Sequence, residues 1–126
     1  MIRRILARTM SAAVVLTSLT VMCATQAQAG GWSYTGRGGR TYSRSYTHYN
    51  NGGGNLGRTV TATRPNGKTA TNSFNRSVNN GVITDTHTVT GFNGRTATNT
   101  LTRTPGQGGT ATHTGPAGKT RTVTWQ

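Results

Sequence analysis

Threonine recurs at every second position on both sides of short glycine-containing breaks, as in "TGFNGRTATNT" (90–100). No other feature constrains the fold as tightly. A period of two is that of a strand, whose successive side chains point to opposite faces. Threonine and valine suit that conformation because branching at Cβ packs well on a pleated surface. Helices are excluded throughout the alternating stretches, such as 59–63 and 84–90.

The breaks carry a motif. "TRPNGKT" (63–69), "TGFNGRT" (90–96) and "TGPAGKT" (114–120) share Thr, three variable positions, Gly, a cation and Thr. A three-residue loop whose Gly adopts the left-handed conformation joins two antiparallel strands. Around Gly67 it pairs Arg64 with Lys68, then Thr63 with Thr69 and Thr61 with Thr71. Around Gly94 it sets Thr90, Thr88 and Thr86 against Thr96, Thr98 and Thr100. Around Gly118 it sets Thr112 against Thr122 and Thr110 against Thr124.

The other connections extend the ladder. A two-residue turn at Asn80 and Gly81 pairs Ser73 with Thr88, Thr71 with Thr90, and Arg76 with Asp85. A loop over 105–109 pairs Thr104 with Thr110, and one over 50–56 pairs Thr47 with Thr59. The expected fold is therefore all-β, an antiparallel meander of about seven short Thr-rich strands over 40–49, 57–64, 68–78, 82–91, 95–104, 109–115 and 119–125.

One face of such a sheet carries Thr, Ser and a few Asn. The other carries the strand cations, most of them near strand ends, with Val60, Phe74, Val89 and Leu101 toward the middle. Long cations around an apolar centre predict a curled sheet or small open barrel over a thin core, the cations snorkelling outward.

Composition pulls against this. Few large aliphatic or Phe side chains follow residue 29, against eleven of the chain's 14 Lys and Arg and one acid, Asp85. That aliphatic content is below the roughly 20% under which highly charged chains are expected to stay disordered. Pattern predicts strands where composition predicts none.

Residues 1–29 read as an export signal. Arg3, Arg4 and Arg8 open it, a mostly apolar or small stretch follows, and "AQA" (27–29) places cleavage after Ala29. The expected location is periplasmic or extracellular, with no transmembrane segment in the mature chain. The single Cys and all three Met fall inside the signal, so no disulfide staples the remainder. Residues 30–56 form a low-complexity Gly/Tyr/Arg-rich segment, expected to be flexible, and 57–126 the Thr-rich hairpin domain. The 30–56 stretch resembles the Arg-Gly-Gly and tyrosine-rich tracts that bind nucleic acid or self-associate.

Catalysis is not expected. General acid–base chemistry draws on paired carboxylates or a His with an orienting acid, and the single acid has a structural partner in Arg76. His48, His87 and His113 are scattered, so neither a metal site nor a cofactor is expected. A chain this basic attracts anionic polymers: lipopolysaccharide, acidic polysaccharide or extracellular DNA. Arg64, Arg95, Arg103 and Arg121 are the expected contacts, with Tyr42, Tyr46 and Trp125 as stacking partners. Two alternatives follow from the hydroxyl face. Uncharged Thr ladders with exposed edge strands suit self-assembly into a fibre or surface layer. The Thr-x-Thr rows also resemble the arrays of insect antifreeze proteins, which implies ice binding. The uneven repeat, the missing disulfides and the basic opposite face depart from that pattern.

Overall fold

The computed structural model describes residues 26–126. They form eight strands: β1 (Gln26–Thr35), β2 (Thr41–Gly52), β3 (Asn55–Thr63), β4 (Thr69–Asn79), β5 (Val82–Thr90), β6 (Thr96–Thr104), β7 (Gly108–Thr114) and β8 (Thr120–Trp125). Each pairs antiparallel with its sequence neighbours in a single sheet of order β1 to β8. The seven strands expected from the alternation are β2 to β8. The eighth, β1, takes up the last four residues of the proposed export signal and the start of the Gly/Tyr/Arg-rich stretch. The rest of that signal lies outside the described residues.

The predicted registers hold at Thr47–Thr59, Thr61–Thr71, Thr63–Thr69, Ser73–Thr88, Arg76–Asp85, Thr88–Thr98 and Thr112–Thr122. One fails: Thr104 faces Gly108, and Thr110 faces Thr102. The loop there is three residues long, 105–107, because Gly106 and Gly108 both take positive φ and Gln107 N–H donates to the Thr104 carbonyl. The tighter loop shifts the pairing by two residues, which leaves every side chain on its predicted face.

The motif read three times from the sequence closes four hairpins. The fourth copy is "TGRGGRT" (35–41), between β1 and β2. In all four turns the first loop-flanking N–H bonds the carbonyl of the cation four residues on, and the Gly N–H bonds back three residues. Gly39, Gly67, Gly94 and Gly118 hold φ between 71 and 76°, which an L side chain takes only with strain. The two-residue turn at Asn80 and Gly81 has positive φ at both, 49 and 79°, as expected for a hairpin whose twist matches its strands.

The sheet does not curl. β1 pairs only with β2 and β8 only with β7, so it stays open, contrary to the expected barrel. Among the described residues no hydrophobic or polar side chain is buried. The physical reason lies in the register. Polar groups break every row of the non-threonine face: Asn72 stands between Val60 and Val89, Arg58 and His87 flank Phe74, and the Arg76–Asp85 pair separates Leu56 from Leu101. A face interrupted in this way has no continuous apolar surface to wrap around.

Cohesion comes instead from the ladders and from cross-strand side-chain pairs, each contributing roughly 0.2–1 kcal/mol. Thr35–Thr41, Thr90–Thr96 and Thr114–Thr120 share hydroxyl hydrogen bonds of 2.9, 2.8 and 3.0 Å. His87 and His113 bond Asn72 and Asn99 at 2.8 and 2.5 Å. Tyr49 of β2 lies over Gly57 of β3, and its hydroxyl donates to Asn75 Oδ1 of β4 at 3.0 Å. Gly57 is the one buried residue among those described, covered by the Tyr49 ring.

Arg76 grips Asp85 with two parallel hydrogen bonds, Nε to Oδ1 at 2.5 Å and Nη2 to Oδ2 at 2.7 Å. The Arg76 hydrogen bond holds the Asp85 carboxyl below the usual aspartate range, with Arg76 and Arg103 adding Coulombic attraction against the cost of burial. A depressed folded pKa stabilises the sheet above the unfolded aspartate value, about 3.9, and that contribution is lost as pH falls through the folded value. Asp85 is the only acidic side chain in the sequence. The expected Tm profile is therefore level from pH 6 down to about pH 4 as far as carboxylates are concerned. It should drop below that as this one group takes a proton. Asp85→Asn should melt lower at neutral pH and lose the carboxylate's acid limb. An unchanged acid limb in Asp85→Asn would show that another group causes it.

Candidate functional site: a cationic rim and an aromatic corner

Four hairpins of one kind, alternating with three of another, separate the two ends of the sheet. The four motif turns all lie at one end. Each places a cation directly after its glycine: Arg40, Lys68, Arg95 and Lys119. Arg37 and Arg64 stand in the same turns, which brings six cations to one rim. The turns at the opposite end, around 52–54, 79–81 and 105–107, contain no charged residue. Asp85, the only acid, lies in β5 toward that end and is held by Arg76.

The rim is a staircase. The serine or threonine two residues beyond each closing pair meets the first closing threonine of the next hairpin: Ser43 faces Thr63, Thr71 faces Thr90, and Thr98 faces Thr114. Each hairpin thus retreats two residues, about 6.7 Å, while moving two strands sideways, about 9.6 Å. Successive post-glycine cations are then spaced by about 12 Å along a diagonal.

At the tall end of the staircase the cations meet aromatic rings. Tyr34 pairs with Tyr42, Trp32 with Arg44, and Tyr46 with Val60, all on the non-threonine face. Trp32 and Tyr34 are 57% and 63% exposed, and nothing among the described residues covers them. Arg40, Tyr42, Arg64, Pro65 and Asn66 line an open hollow there. The Arg64 guanidinium stacks 3.9 Å from the centroid of Phe92, in the next turn. Stacking fixes the plane of the guanidinium and leaves its edge N–H donors free for an anion.

The seven residues singled out from the sequence do not form one site. Tyr42, Tyr46 and Arg64 share the aromatic corner, and Arg95 belongs to the same rim two strands further on. Arg103 and Trp125 line a separate hollow at the far corner, with Gln107 and Thr110. Arg103 lies near enough to Asp85 to lower its pKa, so part of its charge is already offset. Arg121 lies within β8, facing His113. Sequence reasoning passed over Trp32, Tyr34, Arg37 and Arg40, which lie in the stretch read as a flexible tract. The signal was present in the fourth copy of the turn motif.

The opposite face is a hydroxyl lattice. Thr47, Thr59, Ser73, Thr88, Thr98, Thr114 and Thr120 stand in one row across seven strands. At about 4.8 Å per strand the row extends roughly 29 Å. Among the described residues no three His, Cys, Asp or Glu side chains converge, and no helix is long and apolar enough to cross a membrane. The chain matches no protein-family model, no curated protein and no solved structure.

Proposed function

We propose that this is an exported, non-enzymatic protein that binds anionic polymers through the cationic rim and its aromatic corner. The polymer classes are lipopolysaccharide, acidic polysaccharide and extracellular DNA. The observation that carries the reading is the segregation of six cations onto one rim by a repeated turn, with the one acid toward the opposite rim and already paired. A diagonal row of cations suits a linear polyanion better than a compact anion, because each turn meets a successive charge along the chain. Tyr34, Tyr42 and Tyr46 offer flat surfaces on which a sugar ring or a base can lie. The test is a titration with heparin, single-stranded DNA and lipopolysaccharide beside neutral dextran. Saturable, salt-sensitive binding to the anionic polymers and none to dextran is expected. Equal binding to dextran would end the proposal.

The unbroken row of seven hydroxyls supports a second reading, adhesion to ice, in which the flat uncharged face meets an ordered water lattice. Shaping of ice crystals and thermal hysteresis are its expected signs. Thr88→Lys, at the centre of the row, should abolish both while leaving polyanion binding intact.

A further inference from the structure

The sheet has two unpaired outer edges, β1 and β8, and among the described residues nothing covers either. Proteins that keep sheet edges single guard them with proline, bulges or inward-pointing charge. β1 (QAQAGGWSYT) has no proline and no charged residue, and its pairing runs without a bulge. β8 (TRTVTW) has one cation, Arg121, and every one of its residues is exposed. The sheet also has no buried side-chain core to hold it as a solitary layer.

The internal register says what fits those edges. Each junction between motif hairpins follows one rule, in which the residue two beyond a closing threonine meets the first closing threonine of the next hairpin. It holds at Ser43–Thr63, Thr71–Thr90 and Thr98–Thr114. The last hairpin closes at Thr120, so the rule sets Thr122 against the first closing threonine of a following hairpin. In a second copy of this chain that residue is Thr35. The pairing then runs Thr122–Thr35, Val123–Tyr34, Thr124–Ser33 and Trp125–Trp32. Hydroxyls meet hydroxyls on one face, and on the other one aromatic pair, Trp125–Trp32, and one apolar pair, Val123–Tyr34, close over exposed side chains. Trp32 is 57% and Trp125 40% exposed. Because the number of strands is even, β8 runs opposite to β1, and the junction is antiparallel like every other in the sheet.

We propose that β8 of one copy adds onto β1 of the next in this register, so that the sheet continues from chain to chain. The contact is heterologous: the two surfaces differ, and simple repetition gives an open filament. All cationic rims then fall on one side of the filament. Their mutual repulsion keeps copies apart at low ionic strength and is lifted by salt or by a bound polyanion. The inference rests on backbone register and is independent of the polyanion reading.

The test uses the purified chain in about 1 M salt, where the Debye length is about 3 Å and polyanion bridging is suppressed. Static light scattering and electron microscopy should show elongated particles that grow with protein concentration. Trp32→Lys combined with Trp125→Lys should raise the concentration needed for growth about tenfold or more, since like charges would lie directly opposite. Trp32→Glu with Trp125→Lys should restore it. Val89→Lys adds a single positive charge at an exposed position in the middle of the sheet and should leave growth unchanged, while far-ultraviolet circular dichroism checks that each variant keeps its strands. A monomer at every concentration in 1 M salt would overturn the proposal. Growth blocked by Val89→Lys but indifferent to the tryptophan pair would also overturn it, in favour of stacked faces.

Discussion

Neutralising Arg40, Arg64, Lys68 and Arg95 together, each to Gln, should weaken polyanion binding about a thousandfold at 0.1 M salt. The estimate comes from counterion release, in which each cation engaged with a phosphate-like charge contributes roughly 0.7–0.9 to the salt slope. Four lost contacts should flatten the slope by about three. The unsubstituted chain, with six rim cations engaged, should lose about three orders of magnitude in affinity between 50 and 200 mM salt. The backbone of each turn is fixed by its own hydrogen bonds, so the strands should survive the substitutions. Arg103→Gln forms the comparison, since it lies near Asp85 at the end of β6 away from the rim. A small loss there and a large loss at the rim would assign binding to the rim. Equal losses per charge removed would mean that net charge alone governs attraction, and the rim would have no special part in it.

Gly57→Ala should destabilise the sheet more than its size suggests. A Cβ at this position overlaps the Tyr49 ring, which lies across β3 to reach Asn75. Either the ring leaves, breaking the 3.0 Å hydrogen bond to Asn75, or β2 shifts away from β3. Overpacking of this kind costs about 1–3 kcal/mol, which lowers Tm by roughly 5–15 °C in a chain of this length. Tyr49→Ala removes the obstacle, so Gly57→Ala should cost little further in that background. Thermal melts of the two single variants and the double variant form a cycle, and residues in contact give a non-additive result. Simple additivity would show that Tyr49 does not rest on Gly57.

Most of the architecture was legible because a strand's period is so strict. A one-residue error in any hairpin would move threonine to the wrong face, so matching threonines across turns fixed β2 to β8 and nearly every register. The exception, Thr104 against Gly108, arose where two glycines allow more than one loop length. β1 went unread because Gly30, Gly31 and the tyrosines broke the threonine alternation, although Thr35 and Thr41 bracket the same motif. The expected curl failed for a different reason. Alternation assigns a residue to a face, but only the pairing followed across several strands shows that Asn72 parts Val60 from Val89 and that Arg58 and His87 flank Phe74. The same limit applied to the site. Sequence named cations and rings as a set, whereas their division between opposite corners depends on which strand each occupies.

Every strand touches only the strands before and after it. Such a sheet behaves as a one-dimensional zipper, whose stability is a sum over neighbouring hairpins. Its contacts are local in sequence, so folding can begin at any of the glycine turns and spread outward with little loop-closure cost. A hairpin lost from the β8 end removes one junction and leaves the others standing. A hairpin gained lengthens the staircase by one step and adds one more cation. Length in this architecture can therefore drift by whole hairpins over evolutionary time without a new fold having to be found.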